Sequence, residues 1–314
     1  MAVIEGEDAS PEAMRPSVEV VDALGLGIEW LHPPVGQRGL DEYGAAFPPE
    51  ARAEIDRADT TWFGSTSGAS GAALFYLRWG KQTYANVRPS RFRPGFQSPL
   101  RHPEEIDLVI VRENLEDLYL FLEGDVADLA PLGLTSPTAR CDVADLAPGR
   151  YALKVITEAG SDRVARFSFE LARKRKALGG MGRVTCGTKH NMLPQSDGLF
   201  RERVERMGGA YPDIELQCFI VDDFAHRLVA APHELDVVVL PNLYGDVLSD
   251  AAAALVGGLG LAPSGCFGDD YAYFESAHGT APDIAGRNVI NPTATLLSAV
   301  MMLEHLGCGE GARR

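Results

Sequence analysis

Arg78, Arg88 and Arg112 each interrupt an apolar segment of this 314-residue chain. A guanidinium at the end of a buried strand needs an anion, and its planar fork fits a carboxylate with two hydrogen bonds. Each arginine taken alone is more simply explained by a structural ion pair. Because the chain as a whole is acidic, with a net charge of −15, three such arginines together indicate a site for a small molecule with several negative charges.

Asp246 and Asp250 are four residues apart, directly after the apolar run 237–240, and therefore lie on one face of a helix. Two carboxylates held this close repel each other unless a cation or an arginine joins them. With Asp222 from a separate segment, they form a set of hard oxygen ligands suited to Mg²⁺ or Mn²⁺. The alternative interpretation is that the two aspartates only cap and solvate the start of a helix.

Lys189 follows a short predicted strand at 183–186 and lies among small and apolar residues. A lysine in such surroundings can have a lowered pKa and act as a base. It can equally pair with an aspartate, and the residues leave both interpretations open.

The elements that must position these side chains alternate between strands and helices. The continuous apolar runs 108–111 and 237–240 predict central strands that are buried on both faces of a sheet. Further elements are predicted as a strand, turn and helix at 4–14, a strand at 61–63, and helices at 50–58, 162–178 and 296–305. Many glycines and prolines at 24–49 predict loop there, with one short strand at 28–31. The alternation predicts an α/β fold.

Composition limits the class of protein. A chain with 46% hydrophobic and 23% charged residues is globular, and its length suggests about two domains. The excess of acidic residues argues against nucleic-acid binding. The N-terminus lacks a basic signal region, and every apolar run is far shorter than the ~20 residues that span a bilayer, so we predict a cytoplasmic protein without a membrane segment. Five separated cysteines without a C-x-x-C pair predict buried thiols.

Four longer motifs follow one another along the chain, at 84–89, 107–114, 242–250 and 278–286, the last followed by Asn291-Pro292. They resemble the β-decarboxylating dehydrogenases, the family of isocitrate, homoisocitrate, 3-isopropylmalate and tartrate/D-malate dehydrogenases. The resemblance implies two α/β domains that share a large mixed sheet, which is not a Rossmann fold. It places a cofactor-side domain at 1–84 and 257–314, with a shortened C-terminal part, and a substrate, metal and dimerisation domain at 85–256.

The resemblance also implies roles for individual residues. Arg78, Arg88 and Arg112 would clamp the carboxylates of a malate. Lys189 would take up the proton of the 2-hydroxyl group, and Tyr119 would return a proton after decarboxylation.

Metal and cofactor positions follow from the same resemblance. Asp222, Asp246 and Asp250 would hold Mg²⁺ or Mn²⁺. The residues implied for NAD are Asn191, Glu275, His278, Gly279, Thr280, Ala281, Asp283, Ile284 and Asn291. Lys189 and Asp222 would enter the site of the neighbouring subunit, which implies a homodimer with shared active sites.

The implied reaction is the metal-dependent oxidative decarboxylation of a 3-substituted (2R)-malate by NAD. In this family the residues just before the first clamp arginine contact the substituent, and here Leu74 and Phe75 offer no donor to a third carboxylate. We therefore predict that 3-isopropylmalate, or another malate with an apolar or small substituent, is preferred over isocitrate and homoisocitrate. If Arg91, Arg93 or His102 reached the pocket from another side, a tricarboxylate would remain an alternative substrate.

Two departures from the family pattern support a different class of protein. Asp8 and Ser10 stand where the family has glycines, and the usual Glu-Pro-Val-His-Gly reads Glu-Ser-Ala-His-Gly at 275–279. Both segments lie near the expected cofactor site. The alternative hypothesis is a non-catalytic or regulatory subunit that resembles the inactive partners of heteromeric isocitrate dehydrogenases.

Overall fold

A nine-stranded mixed sheet organises the computed structural model, which describes residues 1–313. The strands are β1 (Ala2–Ile4), β2 (Thr61–Phe63), β3 (Ala85–Arg91), β4 (Asp107–Glu113), β5 (Glu123–Asp125), β6 (Thr135–Ser136), β7 (Cys141–Asp142), β8 (Arg150–Ala152), β9 (Arg183–Thr188), β10 (Glu215–Ile220), β11 (Val237–Leu240), β12 (Pro263–Phe267) and β13 (Ala272–Ser276). The large sheet has the order β1-β2-β13-β12-β3-β4-β11-β9-β10, and β5/β8 and β6/β7 form two small antiparallel ladders.

Helices cover both faces of this sheet. They are α1 (Ser10–Asp22), α2 (Gln37–Tyr43), α3 (Pro49–Arg57), α4 (Gly71–Phe75), α5 (Glu158–Ala177), α6 (Ser196–Gly208), α7 (Val221–Ala230), α8 (Asn242–Leu255), α9 (Thr293–His305) and α10 (Gly309–Arg313). A single π-helical turn, Tyr76–Gly80, continues α4. Within residues 1–313, none of the helices combines the length and the apolar character needed to cross a bilayer.

The predicted central strands are confirmed. Strands β4 and β11 pair with each other in the interior of the sheet, and all four residues of β11 are buried. One face packs against α5 and α6, and the other face packs against α7 and α8. The helices expected at 50–58, 162–178 and 296–305 correspond to α3, α5 and α9, with ends that differ by at most four residues.

The segment 24–49 differs from its prediction. In place of a strand at 28–31 there is one isolated bridge, between Leu31 and Ala2. The predicted loop also contains α2, which follows Gly36 (φ 68°) and ends at the left-handed Gly44 (φ 74°). A Cβ atom at Gly39 would lie 2.5 Å from the carbonyl oxygen of Pro34. The glycines therefore begin and end a short, tightly packed helix instead of preventing one.

The sheet brings the candidate residues towards one edge. Strands β4, β11, β9 and β10 are mutually parallel, so their carboxyl ends meet at the same side of the sheet. Strand β12 from the 257–314 segment pairs with β3, so one sheet serves both predicted domains. The domain boundaries themselves stay a prediction.

The cysteines match their prediction in part. All five are free thiols, but only Cys186 and Cys266 are buried. The other three are partly exposed because they lie on the edge strand β10, in the small β6/β7 ladder and near the end of the chain.

Candidate active site

Three arginines from separate elements converge on one open cleft. Arg78 comes from the turn after α4, Arg88 from β3 and Arg112 from β4, and the cleft has a volume of ≈ 250 Å³. The structure thus brings together the arginines that the sequence singled out. Other side chains of its lining include Leu74, Tyr119, Asp246, Glu275 and His278.

Arg112 is the centre of this cluster and is only 2% exposed. Its Nη1 donates to Asp246, its Nε donates to Asn242 Oδ1 at 2.8 Å, and Asp246 also accepts from the Tyr119 hydroxyl. A Cβ atom at Gly245 would lie 2.7 Å from Arg112 Cβ. Glycine at this position therefore allows α8 to approach β4 and carry Asp246 to the arginine.

Arg88 joins the two aspartates of α8. Its Nη1 donates to Ser249 Oγ at 2.8 Å and to Asp250 Oδ1 at 3.1 Å, and it lies 3.4 Å from Asp246 Oδ1. Burial raises the pKa of Asp250, the charge of Asp246 adds to this effect, and Arg88 opposes it. The paired carboxylates are thus held together by an arginine and are more than solvated helix residues.

The arginines carry donors that the protein leaves unpaired. Within residues 1–313, Arg78 Nε and Arg112 Nη2 are buried without a hydrogen-bond partner. Burial and the neighbouring Arg88 lower the pKa of Arg112 to about 10. Burial also opposes the charged form of Arg78, but Tyr273 and Glu275 outweigh it and raise its pKa. An anionic ligand would satisfy the free donors and relieve the repulsion between the guanidinium groups.

Tyr119 is placed to hold a proton. Burial and the hydrogen bond to Asp246 raise the pKa of its phenol group. The guanidinium carbon of Arg112 lies 4.8 Å from the ring centroid, which also fixes the orientation of the ring. Tyr119 can therefore deliver its proton to an atom in the cleft.

Lys189 and Asp222 lie apart from the cleft. They follow β9 and β10, and Lys189 Nζ donates to Asp222 Oδ1 at 2.6 Å. Their side chains are 31% and 69% exposed. Of the two interpretations of Lys189, the single chain shows the ion pair, which lowers the pKa of Asp222.

The three predicted metal ligands are not gathered within one chain. No group of three His, Cys, Asp or Glu side chains in residues 1–313 is arranged to hold a metal ion. Asp246 and Asp250 lie at the arginines, whereas Asp222 is held by Lys189. This separation is what a site shared between two chains requires, and the sharing stays a prediction.

The predicted cofactor residues fall into two groups. A second pocket of ≈ 290 Å³ adjoins the cleft and shares His278 and Gly279 with it. The predicted residues that line one or both cavities are Glu275, His278, Gly279, Ala281 and Asn291. Those that line neither are Asn191, Thr280, Asp283 and Ile284. Among the described residues, His278 Nε2 is buried without a partner. Because Nδ1 donates to the Gly279 carbonyl at 2.9 Å, the neutral ring leaves Nε2 as an acceptor, so this pocket fits a ligand that donates a hydrogen bond.

At each of the two departures from the family pattern, a serine is hydrogen-bonded within the structure. Ser10 Oγ donates to the Glu5 carbonyl at 2.8 Å and accepts from the Ser65 amide at 2.9 Å. Ser276 Oγ lies 3.4 Å from Ser65 Oγ and 3.5 Å from His278 Nδ1. Ser65 is not among the predicted site residues, because its partners are distant in the chain and local patterns do not reveal them.

Only one of the two predicted specificity residues faces the cleft. Leu74 lines it, but Phe75 is 48% exposed and stacks on Trp79, with 5.0 Å between ring centroids. Successive helical residues point about 100° apart, and here this turns Phe75 away from the cleft that Leu74 lines. The predicted substrate contact of Phe75 is thus not seen in this chain. Of the alternative cations, Arg91 lies 3.7 Å from Asp107, and none of Arg91, Arg93 and His102 lines the cleft.

Comparison with known proteins agrees with this geometry. The chain matches the family described as isocitrate/isopropylmalate dehydrogenase over residues 1–314. The chain belongs to the isocitrate/isopropylmalate dehydrogenase family. Similar relatives are the 3-isopropylmalate/3-methylmalate dehydrogenase of Methanocaldococcus jannaschii (39% identity over 99% of this chain and 87% of the relative) and the isocitrate/homoisocitrate dehydrogenase of Thermus thermophilus (39% over 100% and 87%). A crystal structure of isocitrate dehydrogenase from Methylococcus capsulatus matches with a TM-score of 0.84 at 32% identity, covering 99% of this chain and 87% of that one.

Membership of the isocitrate/isopropylmalate dehydrogenase family confirms the predicted α/β fold and makes the protein an oxidoreductase. Members generally use a nicotinamide cofactor and a divalent metal. The relatives carry names from both the isopropylmalate and the isocitrate branches, so their names alone do not select a substrate.

Proposed function

We propose that this dehydrogenase oxidatively decarboxylates a 3-substituted (2R)-malate whose substituent is apolar or small, with 3-isopropylmalate preferred over isocitrate and homoisocitrate. The carrying observation is the lining of the cleft. Three arginines line it, a set that would match the two carboxylates of a malate, and Leu74 lines it with them. Within residues 1–313, no further lysine or arginine lines the cleft for a third carboxylate.

The arginines bind and orient the substrate. Arg78 and Arg112 retain buried donors without partners, and carboxylates accept such donors in paired, charge-assisted hydrogen bonds. A third carboxylate against Leu74 would be desolvated without a partner, which disfavours isocitrate.

Asp246 and Asp250 fit a divalent cation in donor chemistry, because both carboxylates approach the same Arg88 guanidinium. The partner subunit's Asp222 would complete the set, with Mg²⁺ or Mn²⁺ as the metal. When bound, such an ion supplies a Lewis acid for the oxygen on carbon 2.

The chain's own residues move the protons. Lys189, from the neighbouring subunit in this proposal, takes up the 2-hydroxyl proton as hydride leaves carbon 2. Loss of CO₂ from carbon 3 leaves an enolate, and Tyr119 returns a proton to that carbon. Its raised pKa keeps the phenol protonated until this step.

The proposal includes NAD as the hydride acceptor in the pocket formed by His278, Gly279, Ala281 and Asn291. Asp283 follows this pocket and its side chain is exposed. A carboxylate there accepts hydrogen bonds from ribose hydroxyls and repels a 2′-phosphate, which supports NAD over NADP.

A substrate panel tests the proposal. Purified protein is assayed with 3-isopropylmalate, isocitrate, homoisocitrate and malates with small substituents, using NAD or NADP and either Mn²⁺ or Mg²⁺. The expected result is the highest kcat/KM for 3-isopropylmalate or a small-substituent malate with NAD. A preference of ~10-fold or more for isocitrate or homoisocitrate, about 1.4 kcal/mol of discrimination, contradicts the role of Leu74.

A pair of variants tests whether Leu74 determines which substituent the cleft accepts. Leu74→Ser is expected to raise kcat/KM for isocitrate relative to 3-isopropylmalate, because it places a hydrogen-bond donor in the lining of the cleft. Phe75→Leu is the matched control, since Phe75 lies outside the cleft and its exchange should leave that ratio unchanged. No reduction of either cofactor with any malate, together with activation of a separately encoded partner, would favour the regulatory-subunit hypothesis.

A further inference from the structure

A buried group of three charged residues contacts the segments that carry Tyr119, Lys189 and the start of α8. None of its members lines the cleft. Asp117 and Asp197 are 0% exposed, and the Lys154 side chain between them is 15% exposed. Lys154 Nζ lies 2.5 Å from Asp197 Oδ1 and 3.6 Å from Asp117 Oδ1. We call Asp117, Lys154 and Asp197 the ion triad.

Asp117 fastens two segments of the site. Its Oδ1 accepts the amide hydrogen of Leu118 at 2.9 Å, in the turn Leu118–Leu120 that carries Tyr119. Its Oδ2 accepts the amide hydrogen of Leu243 at 3.1 Å, in the first turn of α8. One carboxylate therefore accepts hydrogen bonds from free backbone amides of two segments, the turn that carries Tyr119 and the start of α8, which carries Asp246 and Asp250.

The backbone of Asp117 is strained. Its φ of 69° and ψ of −143° lie in a region that residues other than glycine rarely adopt. The residue is held there from several sides, because its amide also donates to the Val155 carbonyl at 2.9 Å. Strain of this kind persists only where surrounding contacts determine the conformation, and it concentrates at functional sites.

Asp197 fastens the third segment. Its Oδ2 accepts the amide hydrogen of Lys189 at 2.6 Å, directly after β9. Burial opposes the charged form of Lys154, but its ion pair with Asp197 and the charge of Asp117 outweigh this and raise its pKa. Lys154 also lies 4.4 Å from the ring centroid of Tyr244 in α8. The ammonium group thus joins the Lys189 segment to the Tyr119 segment.

We propose that the ion triad positions Tyr119 and Lys189 for the reaction, so that Asp117, Lys154 and Asp197 are positioning residues. The inference rests on the proposed function for the roles of Tyr119 and Lys189. Because those two residues would serve different sites of a dimer, the ion triad would join the two half-sites that each chain contributes.

Kinetics of Asp197→Asn and Lys154→Met test the proposal. Both are expected to lower kcat by ~10 to 100-fold with KM for the malate within ~3-fold, because small misplacements of reacting groups reduce the rate without removing substrate contacts. Lys154→Arg retains the charge and is expected to recover most of kcat.

Asp236→Asn is the matched control. Asp236 is 1% exposed, pairs with Arg175 at 2.6 Å, and accepts the amide hydrogens of Gly182 and Arg183 near the amino end of β9. Like Asp197, it is buried, pairs with a cationic side chain and accepts backbone amide hydrogens. Its contacts, however, lie at the amino end of β9, whereas those of Asp197 lie at the carboxyl end. Its exchange should lower the thermal midpoint while leaving kcat within ~2-fold, since it touches no part of the site. An equal fall of kcat in Asp236→Asn and Asp197→Asn would overturn the proposal.

Hydrogen exchange gives a readout that does not require turnover. Asp197→Asn should accelerate exchange of the Lys189 amide, and Asp117→Gly should accelerate exchange at Leu118 and Leu243. Glycine tolerates the backbone of position 117, so this variant is expected to fold. Unchanged exchange at these amides, or wild-type kcat in Asp117→Gly, contradicts the proposal. If the wild-type protein oxidises no malate, the proposed function fails, and the exchange rates still decide whether the ion triad holds these segments.

Discussion

The two charged regions of the proposed site differ in burial and in charge balance. The clamp cluster, which we define as Arg78, Arg88, Arg112, Asp246 and Asp250, has more cations than anions and includes an arginine that is only 2% exposed. The Lys189–Asp222 pair has one charge of each sign, and Asp222 is 69% exposed.

This difference shows which region needs a ligand. Burying guanidinium groups with unpaired donors is unfavourable unless an anion compensates them, so the clamp cluster is complete only with a substrate. An exposed ion pair contributes little to folding. The exposed Lys189–Asp222 pair at the ends of β9 and β10 is therefore accessible for the proposed role towards a second chain.

The largest effect is expected in the clamp cluster. Asp246→Asn removes a negative charge that binds Arg112, Arg88 and Tyr119 and that we assign to the metal. Metal-dependent NADH formation should fall by at least ~10²-fold, because a charge that stabilises the reacting oxygen is lost. The measurement is kcat/KM as a function of Mn²⁺ concentration.

Asp223→Asn is the control for this variant. Asp223 neighbours Asp222 but is exposed and pairs with Arg227 within α7 at 3.0 Å. Its exchange should leave turnover unchanged. Wild-type turnover in Asp246→Asn would show that the clamp cluster takes no part in the reaction.

A smaller effect is expected in the pH dependence of stability. Glu113 follows Arg112 in β4, and burial raises its pKa from 4.5 to about 7, although the amides of Leu115 and Glu116 donate to it. The folded state therefore favours the protonated form. The stabilisation is fully present below pH 4.5 and is lost as the pH rises through about 7.

Glu113→Gln should flatten the free energy of unfolding between these pH values, as measured by urea denaturation. Asp222→Asn, on the exposed pair, should leave the curve in this range unchanged. An identical slope for wild type and Glu113→Gln would show that the burial of Glu113 does not control this titration.

The sequence predicted the parts of the fold that follow from local periodicity. The apolar runs at 108–111 and 237–240 specify buried strands because side chains on both faces are apolar. The prediction for segment 24–49 was wrong in detail. Its glycines can either break a helix or, as at Gly39, permit close packing of one. That choice depends on Pro34 and on neighbours that local patterns do not show.

The candidate site was predictable to the extent that its residues stand in motifs. Arg78, Arg88, Arg112 and Asp246 meet in the cleft as expected, but Phe75 points away from it. The ion triad was not predicted, because Asp117, Lys154 and Asp197 are far apart in the chain and meet only through tertiary packing. Strain at Asp117 is equally invisible in the sequence, since aspartate is common in ordinary turns.

The most direct test of the shared site mixes two inactive variants. Lys189→Ala chains and Arg112→Ala chains are combined under conditions where subunit exchange is verified by mass spectrometry. Each hybrid dimer then has one site without either substitution, so random exchange of equal amounts should restore about a quarter of wild-type activity. If hybrids form and activity stays at the level of the separate variants, each chain's Lys189 acts with its own Arg112, and the division of the site between two chains is contradicted.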